Sequence, residues 1–128
     1  MKKKRIMLVD DEKDFVDMLK KNLERKNEFE VLVCSTTKGF LEQVNMYKPD
    51  LILLDLLMSP IGGLEICEML NENPEARKIP IIIVSGLEKE VDKLKAYKLG
   101  VLDYLVKPIE LDNLVFKIKK ALEYKNIF

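Results

Sequence analysis

The chain has 128 residues, the size of one ordinary domain, and 48% of them are hydrophobic, which supplies a core and argues against disorder. Its 22 basic and 22 acidic residues cancel, so no overall field favours nucleic acid or a membrane surface. There is no histidine, which removes Ser-His-Asp and Cys-His nucleophiles, His-containing zinc sites and any phosphohistidine role.

At the N-terminus, "MKKKR" has the charge of a signal-peptide start, but the apolar "IMLV" behind it is too short and "DDE" ends it. "RIMLVDDE" is instead an apolar strand that breaks into acids. In "DFVDMLKKNLERK", Phe15, Leu19 and Leu23 recur at four-residue spacing with Val16 beside them, which predicts an amphipathic helix. "FEVLVC" returns to strand character. A second helix runs from Lys38 to Tyr47 with Phe40, Leu41, Val44 and Tyr47 on one side, and it stops at Pro49. "LILLD" is the third strand, followed by a helix from Gly63 to Asn73 that carries Leu64, Ile66, Cys67 and Leu70. The strand "IPIIIVS" precedes the helix "KEVDKLKAYKLG", closed at Gly100, a natural left-handed C-terminal residue. A short strand "LDYLV" leads to the last helix, Leu111 to Tyr124, with Leu111, Leu114, Val115, Ile118 and Leu122 as its core stripe. Phe116 lies about 100° from Val115, off that stripe, where it is either a singly exposed aromatic or, with residues of the preceding helix, part of a face for dimerisation or effector docking. No segment approaches transmembrane length. Cys34 and Cys67 form no CxxC pair and read as reduced packing residues of a cytoplasmic protein.

Five strand–helix units in strict alternation, with no repeat or linker, predict one α/β domain over residues 1–128. The fold is a doubly wound, five-stranded parallel sheet with five helices and right-handed crossovers. The first, third and fourth strands are nearly continuous apolar runs, as expected where helices cover both faces of a sheet. Ligands of such sheets bind outside the carboxyl ends of the strands.

That edge collects the informative polar residues. Asp10, Asp11 and Glu12 follow the first strand, Asp55 ends the third, Ser85 ends the fourth and Lys107 follows the fifth. Taken singly, each has a plainer reading: an acidic pair favours a helix N-terminus, a serine caps a helix, and "KP" is a common turn. Together at one edge they form a crevice of mutually repelling acids, which a hard divalent cation with oxygen ligands neutralises. Mg²⁺, which takes a few carboxylates plus waters, matches this inventory. A carboxylate beside a metal, an ammonium and a hydroxyl is arranged to attack a phosphoryl group and hold its oxygens. Asp55 is then a nucleophile that becomes an aspartyl phosphate.

The stretches "LVDDE", "PDLILLDLLM" with Gly63 eight residues after Asp55, "IPIIIVSG" and "KLGVLDYLVKP" resemble, from end to end, the response-regulator receiver domain of two-component signalling. The resemblance implies a flavodoxin-like sheet of order 2-1-3-4-5, with Asp55 as phosphoacceptor. It implies Mg²⁺ bound by Asp11 directly, by Asp10 through water, by Asp55 and by the backbone carbonyl of Leu57. Lys107 becomes the phosphoryl partner, on a cis Lys107–Pro108 peptide. Ser85 and Tyr104 become a switch pair: the serine hydroxyl moves toward the phosphoryl group and the tyrosine ring fills the vacated space from outside. A sensor histidine kinase or phosphotransfer protein would supply the phosphoryl group. A downstream effector or a second copy would read the face formed by the fourth helix, fifth strand and fifth helix. Nucleic acid and membrane are not expected partners of the domain. It would catalyse its own phosphorylation and dephosphorylation with no separate enzymatic output. In this family, the residues two after the phosphoacceptor and two after the switch hydroxyl flank the approach of hydrolytic water. Here they are Leu57 and Leu87, which exclude water and predict a long-lived phosphoryl group.

Two positions depart from the family pattern. Ser59 stands four residues after Asp55 where the family usually has Pro, with Pro60 next, and Gly62 replaces a frequent Asp. Other classes fit less well. A haloacid-dehalogenase-type phosphatase needs an Asp at position 57, which is Leu, and an FMN carrier needs a Ser/Thr/Gly-rich phosphate loop after the first strand. A receiver-like interaction module working without phosphate is the remaining alternative, and the intact set Asp10, Asp11, Asp55, Ser85 and Lys107 weighs against it.

Overall fold

The apolar runs form five strands, β1 (Lys4–Val9), β2 (Phe29–Cys34), β3 (Leu51–Leu54), β4 (Ile81–Ser85) and β5 (Asp103–Val106). The computed structural model describes residues 2–127, with side chains to Tyr124. Met1 and Phe128, the ends of the expected 1–128 unit, lie outside the described residues. All strand pairs are parallel, in the order β2-β1-β3-β4-β5. Every residue of β3 and β4 is buried, as are the last four of β1, whereas the edge strands β2 and β5 are only partly covered. Central strands with a helix layer on each face need apolar residues at consecutive positions, and these have them.

Five helices connect the strands: α1 (Lys13–Arg25), α2 (Phe40–Tyr47), α3 (Gly63–Glu72), α4 (Glu90–Lys98) and α5 (Leu111–Ile127). Because successive strand residues point to opposite faces, each central strand feeds two cores. Met7, Val9, Ile52, Leu54 and Ile83 pack with α2 and α3 residues such as Phe40, Val44, Ile66 and Leu70. Ile6, Leu8, Leu51, Leu53, Ile82 and Val84 pack with Leu19 and Leu23 of α1 and with Leu114 and Ile118 of α5.

Boundaries differ from the sequence reading in a few places. α2 begins at Phe40 rather than Lys38, because Gly39 takes a left-handed conformation (φ 65°) that breaks the helix before it. α5 continues past Tyr124 to Ile127. A short 3₁₀ turn at Ala76–Lys78 was not expected; Asn73 Oδ1 starts it by accepting the Glu75 and Ala76 amides at 3.1 and 3.0 Å. Gly100 does adopt the left-handed conformation expected of it, at φ 92°. α4 buries little beyond Ala96 and leaves Val91, Leu94 and Tyr97 exposed.

Candidate functional site

The sheet ladder runs one bond past each strand end and so registers the polar residues there. The Asp10 amide donates to the Cys34 carbonyl at 3.1 Å, the Asp55 amide to Val9 at 2.9 Å, and the Lys107 amide to Ser85 at 2.9 Å. Three side chains separated widely in sequence are thereby fixed on one edge. The Lys107 ammonium lies 2.7 Å from Asp10 Oδ2, 2.6 Å from Glu12 Oε1 and 3.3 Å from Asp55 Oδ2. The second oxygens are also engaged: Asp10 Oδ1 accepts the Glu12 amide at 2.9 Å and Asp55 Oδ1 the Leu57 amide at 3.1 Å. Asp10 and Asp55 are buried, while Asp11 stands exposed at the rim. The peptides Lys107–Pro108 and Ser59–Pro60 are both cis.

One ammonium serves a cluster that contains Asp10, Asp11, Glu12 and Asp55, so negative charge is in surplus. Burial pushes the Asp10 carboxyl above its ordinary range, against the opposing pull of its bonds from Lys107 and the Glu12 amide. Burial also works against the charge on Lys107, but its bonds to Asp10 and Glu12 and the charges of Asp55 and Asp10 prevail and raise its pKa. Asp10, Asp11 and Asp55 each offer a carboxylate oxygen within 4.8 Å of the others. An all-oxygen set with one member open to solvent fits a hard divalent cation, such as Mg²⁺, that keeps part of its water. It lacks the nitrogen and sulfur donors that softer metals select.

Ser85 and Tyr104 adjoin this cluster as a separate pair. Ser85 is buried, and its Oγ accepts the Leu87 amide at 3.3 Å. Tyr104 is only 8% exposed and its hydroxyl donates to the Leu87 carbonyl at 2.6 Å. Burial raises the phenol pKa, helped by the charges of Asp92 and Asp55, while a hydrogen bond with Ser85 lowers it. The ring is thus buried in this state, from which the expected switch on phosphorylation would start. The Leu57 side chain is 58% exposed, and Leu87 is half-buried against the core.

Three further residues belong here that the sequence reading did not single out as site residues. Glu12 was placed at the edge without a role, yet it makes the shortest contact to Lys107. Phe15 was assigned to the core stripe of α1; it sits half-buried at the end of that stripe, its ring centroid 4.4 Å from the Lys107 ammonium. Its signal was position, on the first turn of α1 beside "DDE". Thr37, fully buried, gave none: "STTKG" reads as an ordinary helix entry.

A family profile described as "Response regulator receiver domain" matches residues 6–119. The chain belongs to that family. Among similar proteins, it is 32% identical over 124 residues to the alkaline phosphatase synthesis transcriptional regulatory protein PhoP of Bacillus subtilis, covering 97% of this chain and 50% of that protein. It is 31% identical over 121 residues to the heme response regulator HssR of Staphylococcus saprophyticus, covering 94% of this chain and 52% of HssR. The chain therefore spans about half the length of these relatives. The structure of a CheY-like response regulator receiver domain protein from Methanospirillum hungatei superposes with a TM-score of 0.89 at 26% identity, covering 98% of each chain. Among the described residues of this receiver domain, no helix is long and apolar enough to cross a membrane.

Proposed function

We propose that this receiver domain takes a phosphoryl group onto Asp55 from the phosphohistidine of a sensor histidine kinase or phosphotransfer protein. The observation that carries the reading is the Lys107 ammonium held between Asp10 and Asp55, 97 and 52 residues away in sequence. In the transfer, an Asp55 carboxylate oxygen forms the new bond to phosphorus while the donor's P–N bond breaks and its electron pair leaves with the imidazole. Little covalent work falls to the protein in such a step; positioning and charge neutralisation dominate. The sheet register fixes Asp55, and the bond from the Leu57 amide orients its carboxylate. Lys107 offers positive charge to the arriving oxygens. Alone it leaves the cluster negative, which repels a phosphoryl donor. Asp10, Asp11, Asp55 and the Leu57 carbonyl would hold Mg²⁺, which when bound supplies the missing charge and neutralises the phosphoryl oxygens. Ser85 and Tyr104 would couple the modified site to the face of α4, β5 and α5. Val91, Leu94 and Phe116 stand exposed on α4 and α5, available to an effector or a second copy. The apolar character of these three side chains suits a protein partner.

The buried Tyr104 favours a second reading, in which that face is set without phosphate and the domain serves as an interaction module. One experiment separates the two. Incubated with a small phosphodonor and Mg²⁺, the wild type is expected to gain the mass of one phosphoryl group. Asp55→Asn should gain none, and a chelator should abolish the gain. An unmodified wild type, or equal modification of Asp55→Asn, would overturn the first reading.

A further inference from the structure

Among the described residues four polar or charged residues are buried, and three of them, Asp10, Asp55 and Ser85, belong to the site above. The fourth is Thr37, in the turn between β2 and α2. Its hydroxyl bonds in both directions: Oγ1 donates to the Ile61 carbonyl at 2.8 Å and accepts the Ile61 amide at 2.7 Å. Its own amide donates to the Ser59 carbonyl at 3.2 Å, where the Thr36 hydroxyl also donates at 3.2 Å. Two consecutive threonines thus grip residues 59–61 from across the sheet edge. Those residues lie on the loop that leaves Asp55 for α3. The near end of the loop is pinned by the sheet bond of the Asp55 amide and by the bond from the Leu57 amide to Asp55. The stretch bearing the Leu57 carbonyl is therefore held from both ends, and Thr37 is the far anchor.

We infer that Thr37 is a positioning residue for the Mg²⁺ site, acting through Ser59 and Ile61 on the loop that presents the Leu57 carbonyl. The inference rests on the reading above, in which that carbonyl is a ligand. Mg²⁺ demands short bonds and near-octahedral geometry, so a carbonyl on a loosened loop is a poorer ligand than the same carbonyl on a braced one. Valine has the shape of threonine but neither donates nor accepts, and it leaves both Ile61 groups without a partner. Serine keeps the hydroxyl.

The test is a Mg²⁺ titration of the unphosphorylated protein, followed by the NMR shifts of the Asp11 and Met58 amides. The Mg²⁺ dependence of phosphorylation by a small phosphodonor is measured alongside. Thr37→Val should raise the half-saturating Mg²⁺ concentration roughly 10-fold, the low end of what loss of a group orienting a metal ligand costs. Thr37→Ser, which keeps the hydroxyl, should restore the wild-type titration. A general loss of packing would lower the melting temperature of Thr37→Val without moving the titration, and that result would overturn the inference. Should Thr37→Val not fold, Thr36→Val at the exposed neighbour removes one bond to Ser59 and decides the matter. A weakened Mg²⁺ titration supports the brace, and an unchanged one overturns it. A wild type that takes up phosphate but shows no difference from Thr37→Val sinks this inference alone. A wild type that neither responds to Mg²⁺ nor takes up phosphate sinks the underlying reading with it.

Discussion

Alanine in place of glycine at a position whose backbone angles it can adopt ordinarily stabilises a protein, by about 0.4–1 kcal/mol, because it lowers the conformational entropy of the unfolded chain. At Gly63, the first residue of α3, the sign should reverse. A Cβ there would sit 2.5 Å from the Leu56 Cα and 2.7 Å from the Asp55 carbonyl oxygen, both backbone atoms. Ordinary contact begins at 3.4 Å, so helix and loop must part by about 0.9 Å, and no flexible side-chain tip can absorb it. The bond from the Gly63 amide to the Leu56 carbonyl, 3.0 Å long, ties the same two segments and resists the movement. Forced overpacking of this kind costs about 1–3 kcal/mol. For a domain of this size, each kcal/mol lowers the melting temperature by about 4 °C. Gly63→Ala should therefore melt about 4–12 °C below the wild type by circular dichroism. Gly62→Ala is the control: its φ is −71° and nothing lies within 4 Å of its added Cβ, so it should melt at or above the wild-type temperature. Equal melting temperatures for the two variants would refute the reasoning.

Neither Leu57 nor Leu87 can orient a water beside Asp55, and such help is worth ~10²–10⁴-fold in rate. Phosphoryl loss from the wild type should be slow, and faster in the double variant Leu57→Asn, Leu87→Glu. Hydrolysis followed after removal of the phosphodonor checks it, and a wild type as fast as the double variant defeats it. The two cysteines should separate in thiol labelling. Burial pushes the Cys67 thiol up to about 12 and also raises that of Cys34, which is only half-buried. The thiolate is the reactive form, and its fraction grows with pH, so at mildly alkaline pH a native sample should label Cys34 first. Cys67 should react only after denaturation, and peptide mapping that finds equal rates in the native protein would disprove this.

Much of the fold is legible in the sequence because it is encoded locally. "LILL" and "IIIV" have no polar alternation, which only a strand covered on both faces tolerates, and these became the fully buried β3 and β4. Asp10, Asp55, Ser85 and Lys107 needed no contact map either, since a parallel sheet brings every strand's carboxyl end to one edge. The strand order β2-β1-β3-β4-β5 came from family resemblance rather than from periodicity. Other features depended on which loops the fold places side by side. Thr37 meets Ile61 across 24 positions, and nothing near "STTKG" distinguishes a buried hydroxyl from a helix cap. Phe15 has the spacing of a core residue, and only the return of the chain after β5 sets Lys107 over its ring. The Tyr104 hydroxyl finds its acceptor, the Leu87 carbonyl, 17 positions away on the neighbouring loop. Periodicity and turn chemistry are properties of a few adjacent residues, so the sequence by itself determined the elements and the edge where the polar groups gather. A hydrogen bond or a ring contact needs a partner at a particular distance, and for residues far apart in the chain that distance exists only once the sheet has closed.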